Sequence, residues 1–273
     1  MYRLLRHLTN PKSLITAVKN PIKAYNFVRY NHLENKRPHD LAEKLQNNFF
    51  EQDWEQSVIN ALQISEQNLT KYLREYDDII NPHLENCKQE FRDRPFSLGG
   101  IEMEGRILYC IVRSKRPNYV VEVGVANGVS SFILLSAMYQ NRADSQLVSI
   151  DLPKFESDHN GNWGINAGAW IPKNRNIGWI VPENLKTNWR ILIGDVFKEL
   201  PELLANPNSI DLYVYDGPKV YNQRFEALEY FLEMSDNSWL FCDDIAWNSS
   251  AEDFAMANEF DYILMGNTIL IKK

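Results

Sequence analysis

The chain has 273 residues, 44% of them hydrophobic, enough to bury one large core and an appended segment. Its net charge of −7 is unevenly placed: residues 1–33 carry Arg3, Arg6, Lys12, Lys19, Lys23 and Arg29 and no acid, leaving about −13 for the rest. So acidic a body argues against nucleic acid as the main partner, because phosphate binding needs a basic surface.

Cys87, Cys110 and Cys242 are odd in number and outside any CxxC pattern, which argues against structural zinc or a disulfide framework. No apolar run has the length of a bilayer span, and the N-terminal stretches Leu4–Leu5 and Leu14–Val18 are too short for a signal-peptide core. These features together predict a reducing, cytoplasmic setting.

Residues 1–98 read as a helical N-terminal region. In Lys12–Arg29, Leu14, Ile15, Val18, Ile22, Tyr25, Phe27 and Val28 fall near one face, interrupted at Asn20-Pro21. Two readings of this basic arm stand open: a peripheral contact with an anionic membrane or partner, and a helical cover for the main domain or a homo-oligomer mate. Residues 40–95 continue with helical spacing, in Trp54, Val58, Ala61 and Leu62 and then Leu69, Tyr72, Leu73 and Tyr76. Pro95 and Gly99-Gly100 mark a linker.

From residue 99 the rhythm alternates. A helix over Ile101–Val112 precedes strands at Tyr119–Val123, Leu147–Ile150, Trp189–Ile193, Ile210–Tyr215 and Trp239–Cys242, with helices near Phe197–Leu204 and Asn222–Met234. Tyr262–Met265, the turn Gly266-Asn267 and Thr268–Ile271 form an edge hairpin. Residues 152–187, rich in Gly, Asn, Trp and Pro, make an insert long enough to serve as a lid or substrate wall. Strands alternating with helices, each ending at or near an acid, place one crevice at the carboxyl edge of a mainly parallel sheet.

The sharpest stretch is Tyr119–Ser131, YVVEVGVANGVSS: a buried strand, a turn bounded by Gly124 and Gly128, and a helix N-terminus. Glu122 inside the strand end opposes a phosphate and needs a polar or cationic partner. A nicotinamide-binding loop would need glycines where Ala126 and Val129 stand.

The order E-x-G-x-x-x-G, then Asp151, Gly194-Asp195, Asp216 and Asp243-Asp244, resembles the class I S-adenosylmethionine-dependent methyltransferases over roughly residues 100–273. The resemblance implies an α/β fold, a Rossmann-like seven-stranded sheet, parallel with an antiparallel C-terminal hairpin, as a 99–273 domain. It also implies roles. Glu122 and Gly124 would line the methionine part of S-adenosylmethionine, with Ser130 on its carboxylate and Gly128 also binding the cofactor. Asp151 would hold the ribose hydroxyls and Asp195 the adenine amine.

YDGPKVY (Tyr215–Tyr221) and LFCDDIAWN (Leu240–Asn248) further resemble the metal-dependent O-methyltransferases of catechol and macrolide-sugar type. That implies Asp216, Asp243 and Asp244 as Mg²⁺ ligands and Lys219 as the base, its pKa lowered by burial beside the ion, with Asn248 supporting the metal shell. Gly178–Leu185 resembles bacterial members acting on sugar-like substrates, so the implied acceptor is a small molecule or glycan. His159 is a candidate second base. Trp163, Trp170 and Trp179 either stack on an acceptor or pin the insert. Two other functions stay open: a metal-independent small-molecule methyltransferase, and a cofactor-binding scaffold without turnover.

Overall fold

The computed structural model describes residues 40–91, 98–99, 104–141, 144–156, 169–205 and 210–273. The basic arm, His7, His32, His39, His159 and Trp163 lie outside the described residues.

Among the described residues, four helices come first: α1 (Leu41–Phe50), α2 (Trp54–Leu62), α3 (Glu66–Phe91) and α4 (Gly105–Lys115). The start of α2 is fixed by Asp53, whose carboxylate accepts the Gln56 N–H at 3.2 Å, and its end by Gln63 in the left-handed conformation. The rest alternates: β1 (Tyr119–Val123), α5 (Val129–Asn141), β2 (Gln146–Asp151), β3 (Trp189–Ile193), α6 (Val196–Leu204), β4 (Leu212–Tyr215), α7 (Tyr221–Glu229), β5 (Trp239–Cys242), α8 (Ser250–Ala257), β6 (Asp261–Met265) and β7 (Thr268–Lys272).

One seven-stranded sheet runs in the order β3-β2-β1-β4-β5-β7-β6. The first five strands are parallel, and the β6–β7 hairpin joins antiparallel to β5. The chain reverses direction across the sheet between β1 and β4, which puts the crevice over their carboxyl ends.

Strand residues alternate between two cores, as a pleat buried on both faces requires. Val120, Leu147, Leu212 and Val214 face a core shared with Ile107, Ile111, Phe132 and Ile133. Val121, Val123, Val148, Tyr213 and Tyr215 face the opposite core, with Leu200, Phe225, Leu228 and Phe254. Val58, Leu62, Leu69, Tyr76 and Ile80 belong to the first core, so α2 and α3 close that face of the sheet.

The change of rhythm near residue 98 is therefore no gap in packing. Arg113 on α4 reinforces the joint. Its Nε donates to Glu75 Oε2 at 2.6 Å, and its guanidinium lies 5.0 Å from the Tyr72 ring.

Four details add to or depart from the sequence reading. The helix expected over Asn222–Met234 breaks into α7 and a 3-10 turn at Tyr230–Glu233, and α8 was not anticipated. The helix expected from Ile101 is described from Gly105 and runs on to Lys115. In the insert, Phe155 and Ile171 form one parallel bridge and Glu183–Asn188 a 3-10 turn. Among the described residues, no helix is long and apolar enough to cross a membrane.

Candidate active site

The site grows from the end of β1. Gly124 and Gly128 take positive φ values of 96° and 95°, and Ala126 between them also sits at 47°. Ala126 thus adopts the backbone a glycine would, at some strain cost, and the turn keeps its shape. A Cβ on Gly124 would come 2.5 Å from the Asp216 carbonyl oxygen, and one on Gly128 would come 2.8 Å from Gly178 Cα. The first glycine lets the turn reach the end of β4, and the second admits the insert.

Glu122 points into the first core, fully buried. Its two oxygens accept hydrogen bonds from the Ser130, Ser131 and Ser149 hydroxyls, each at 2.6 Å. Burial pushes its pKa up to about 7, and the three hydroxyls pull the other way without overcoming it. The polar partner the strand demanded is this trio of hydroxyls. It also engages Ser130, so the hydroxyl expected to meet the cofactor carboxylate is held by Glu122 instead. Trp189 extends the chain, its indole N–H donating to Ser149 Oγ at 2.8 Å.

Asp151 ends β2 facing the turn. Its Oδ2 accepts the N–H groups of Ala126 at 2.7 Å and Val125 at 3.2 Å. One carboxylate oxygen therefore fixes the glycine loop. Burial raises its pKa and the backbone donors oppose that. Asp195 follows β3 and caps α6, accepting the Phe197 N–H at 3.0 Å.

The other half of the mouth is acidic. Asp216 continues β4 and Asp243 continues β5, their N–H groups donating to Val123 O at 2.8 Å and Tyr215 O at 3.0 Å. With Asp244, they bring one carboxylate oxygen each within 4.8 Å of one another. Burial, then the neighbouring carboxylates, raise Asp243 well above the ordinary range.

Lys219 lies among them. Its ammonium pairs with Asp216 and lies 3.1 Å from Asp244 Oδ2. Burial disfavours the charged amine, but Asp216 and Asp244 outweigh it and hold its pKa above the usual lysine value. The lowering expected of burial beside an ion is a different case from this lysine held by two carboxylates. Asn248 is also placed differently from expectation. Its Nδ2 donates to the Lys219 carbonyl at 2.6 Å and its Oδ1 accepts from Ser250, so it steadies the Lys219 loop rather than a metal shell.

Sequence reasoning missed Asn127 and Arg224. Fully buried Asn127 donates to Leu98 O at 2.9 Å and Trp170 O at 3.2 Å, and accepts from Trp179 Nε1 at 2.6 Å. It clamps the insert onto the glycine loop, and Trp179 is a pin for that insert. Gly178 N–H and Ile180 N–H add bonds to Ala126 O and Asn127 O. Arg224, fully buried on α7, donates from Nη1 to the Asp244 carbonyl at 3.0 Å.

His83, the one described histidine, meets the Ile180 carbonyl at 2.7 Å and supports the same insert. At or after the strand ends, Leu152, Ile193, Val220 and Trp247 are each more than half exposed.

A sheet of five parallel strands in this order with an antiparallel hairpin at its edge, a glycine turn at the switch point, and acids at five strand ends agree with the class I S-adenosylmethionine-dependent methyltransferase fold that the sequence resemblance implies. Residues 121–245 match the family model described as a methyltransferase domain.

Solved structures are also similar. A methyltransferase from Geobacter sulfurreducens is 18% identical over 70% of this chain and 87% of its own, with a TM-score of 0.44. The O-methyltransferase TomG from Streptomyces achromogenes, involved in tomaymycin synthesis and solved with S-adenosylmethionine, is 15% identical over 77% and 91%, with a TM-score of 0.44. An O-methyltransferase from Bacillus cereus, solved with S-adenosylhomocysteine, is 12% identical over 80% and 96%, again at 0.44. Comparison with curated protein sequences gives no match.

Proposed function

We propose that this chain transfers a methyl group from S-adenosylmethionine to a hydroxyl oxygen of a sugar or glycosylated small molecule, with Mg²⁺ held by Asp216, Asp243 and Asp244. The observation that carries the reading is the convergence of those three carboxylates beside the glycine loop. Hard oxygen donors suit Mg²⁺, so the residues present fit the ion. Once bound, it would polarise an acceptor hydroxyl and make it more acidic.

The chain's own groups supply the remaining steps. Gly124 and Gly128 let the donor approach the backbone, Asp151 offers Oδ1 to the ribose hydroxyls, and Asp195 faces the adenine. Lys219, once a cation takes up Asp216 and Asp244, would lose the charges that keep it an ammonium and, as the free amine, would accept the acceptor proton. The hydroxyl oxygen forms the new bond to carbon, and the sulfonium sulfur keeps the electron pair of the bond that breaks. Holding oxygen and methyl in line contributes up to roughly 7–11 kcal/mol in favourable cases. The exposed Trp247 beside the acidic pair supports a ring-shaped acceptor.

The test is release of S-adenosylhomocysteine from S-adenosylmethionine across a panel of sugar, glycoside and phenol acceptors, with and without chelator. Transfer to a hydroxylated sugar, abolished by chelation and restored by Mg²⁺, is the expected result. Tight donor binding with no transfer to any acceptor would leave a cofactor-binding scaffold.

One observation favours a second reading, metal-independent transfer. The Lys219 ammonium already spans Asp216 and Asp244, and Arg224 lies buried behind them, so protein cations offset much of the acidic charge. Transfer unchanged by strong chelation would select this reading.

A further inference from the structure

Asp244 is held from three sides. Its backbone takes the left-handed conformation, φ 59° and ψ 42°, which turns its side chain toward the mouth at some conformational cost. Arg224 fixes its carbonyl. Lys219 meets Oδ2, and the remaining oxygen, Oδ1, accepts from Asn267 Nδ2 at 3.0 Å. Asn267 comes from the far hairpin, where the sequence marks only a turn.

Asn267 is itself anchored. Its Oδ1 accepts the Ala246 N–H at 2.9 Å and its carbonyl accepts the Ile245 N–H at 3.0 Å, so one residue braces three consecutive positions, 244 to 246. Its own N–H donates to Glu104 Oε1 at 2.7 Å. Glu104 is buried at the start of α4, and its Oε2 accepts from Gln46 Nε2 of α1 at 3.0 Å. Gly266 makes the approach feasible, since a Cβ there would meet Glu104 Oε1 at 2.5 Å.

We propose that Asn267 is the positioning residue for the Asp244 carboxylate, holding Oδ1 so that Oδ2 alone is presented to a cation, with Glu104 and Gln46 tying that hold to the N-terminal helices. The proposal rests on the reading of Asp216, Asp243 and Asp244 as a cation site. A neutral amide donor suits the task, because it fixes the carboxylate without competing for the site as an ammonium does. Outer partners of ligating carboxylates typically contribute 10- to 100-fold in metal affinity.

The test uses the full chain with Mn²⁺ as probe, read by electron paramagnetic resonance, and S-adenosylhomocysteine binding by calorimetry. Asn267 has no positive φ, so alanine suits its backbone. N267A is expected to weaken Mn²⁺ about 10- to 100-fold while S-adenosylhomocysteine affinity stays within about twofold. In a D244A background the same change is expected to move Mn²⁺ affinity less than about twofold, because non-additivity marks action through Asp244.

If wild type and N267A bind Mn²⁺ equally, the positioning role is overturned while the cation site stands. If wild type binds no Mn²⁺, both fall. Equal loss of Mn²⁺ and S-adenosylhomocysteine binding would show general damage and also overturn the role. Should N267A not fold, E104Q supplies the second arm. Its weakened hold on Gln46 and Asn267 is expected to lower Mn²⁺ affinity about twofold or more, and no change would overturn the relay.

Discussion

The two halves of the crevice use the same residue type in opposite ways. On the β1–β3 side, the acids, buried Glu122 and half-buried Asp151 and Asp195, are satisfied by neutral donors: Glu122 by three hydroxyls, Asp151 by two loop N–H groups, and Asp195 by its own helix. On the β4–β5 side, Asp216, Asp243 and Asp244 crowd together; Lys219 pairs with Asp216 and Asp244, the Asn267 amide meets Asp244, and Asp243 has a backbone donor from Asp244. Neutral donors leave a preorganised wall that is finished before a ligand arrives. Crowded carboxylates carry a repulsion that a cation relieves, so that half is built to exchange partners.

The largest effects should come from the crowded half. Replacing Lys219 by methionine removes the base and should lower transfer about 10²- to 10⁴-fold in stopped acceptor assays. The same change removes a competing cation, so Mn²⁺ should bind more tightly. Unchanged turnover would take Lys219 out of the mechanism. D243N should lower kcat/KM by roughly 100-fold, corresponding to about 3 kcal/mol of lost charge stabilisation, with donor affinity preserved. If donor affinity falls as far as turnover, the two halves are not separable.

The preorganised half should answer in stability. Gly124→Ala forces a Cβ against the Asp216 carbonyl at a positive φ, and should cost about 2–4 kcal/mol in urea unfolding. Glu122 should make stability depend on pH. Its folded pKa of about 7 lies above the unfolded value of 4.5, so between these the native state holds a proton that the unfolded state has released. Stability therefore falls as pH rises through that window and is lowest above pH 7, by up to about 3 kcal/mol. Glu122→Gln should flatten this dependence. An unchanged slope would mean that the pH dependence comes from other groups and that Glu122 is not shifted between the folded and unfolded states. The smallest effect should be Trp179→Phe, which removes one hydrogen bond to Asn127, about 1 kcal/mol, and loosens the insert without touching the acidic mouth.

Much of this was legible in the sequence because it is local. Apolar strands ending in acids, the glycines at 124 and 128 and the terminal Gly-Asn turn are set by side-chain period and backbone sterics, which neighbours in sequence decide. Three carboxylates after β4 and β5 could be placed at one mouth because parallel strands align their carboxyl ends. What those side chains touch could not be read. Ser130 was expected to face a ligand and binds Glu122, eight residues away and across the turn. Asn248 was expected beside a metal and holds the Lys219 carbonyl.

The sequence by itself therefore determined the order of elements, the side of the sheet that carries the chemistry, and the kinds of charge that meet there. Tertiary structure alone decided that Lys219 remains an ammonium between Asp216 and Asp244, that Asn127 clamps the insert, and that a hairpin asparagine aims Asp244. The reason is distance along the chain. Period and turn chemistry act over a few residues, whereas Glu104 and Asn267 meet across 163 positions, and only the packed fold brings them within a hydrogen bond.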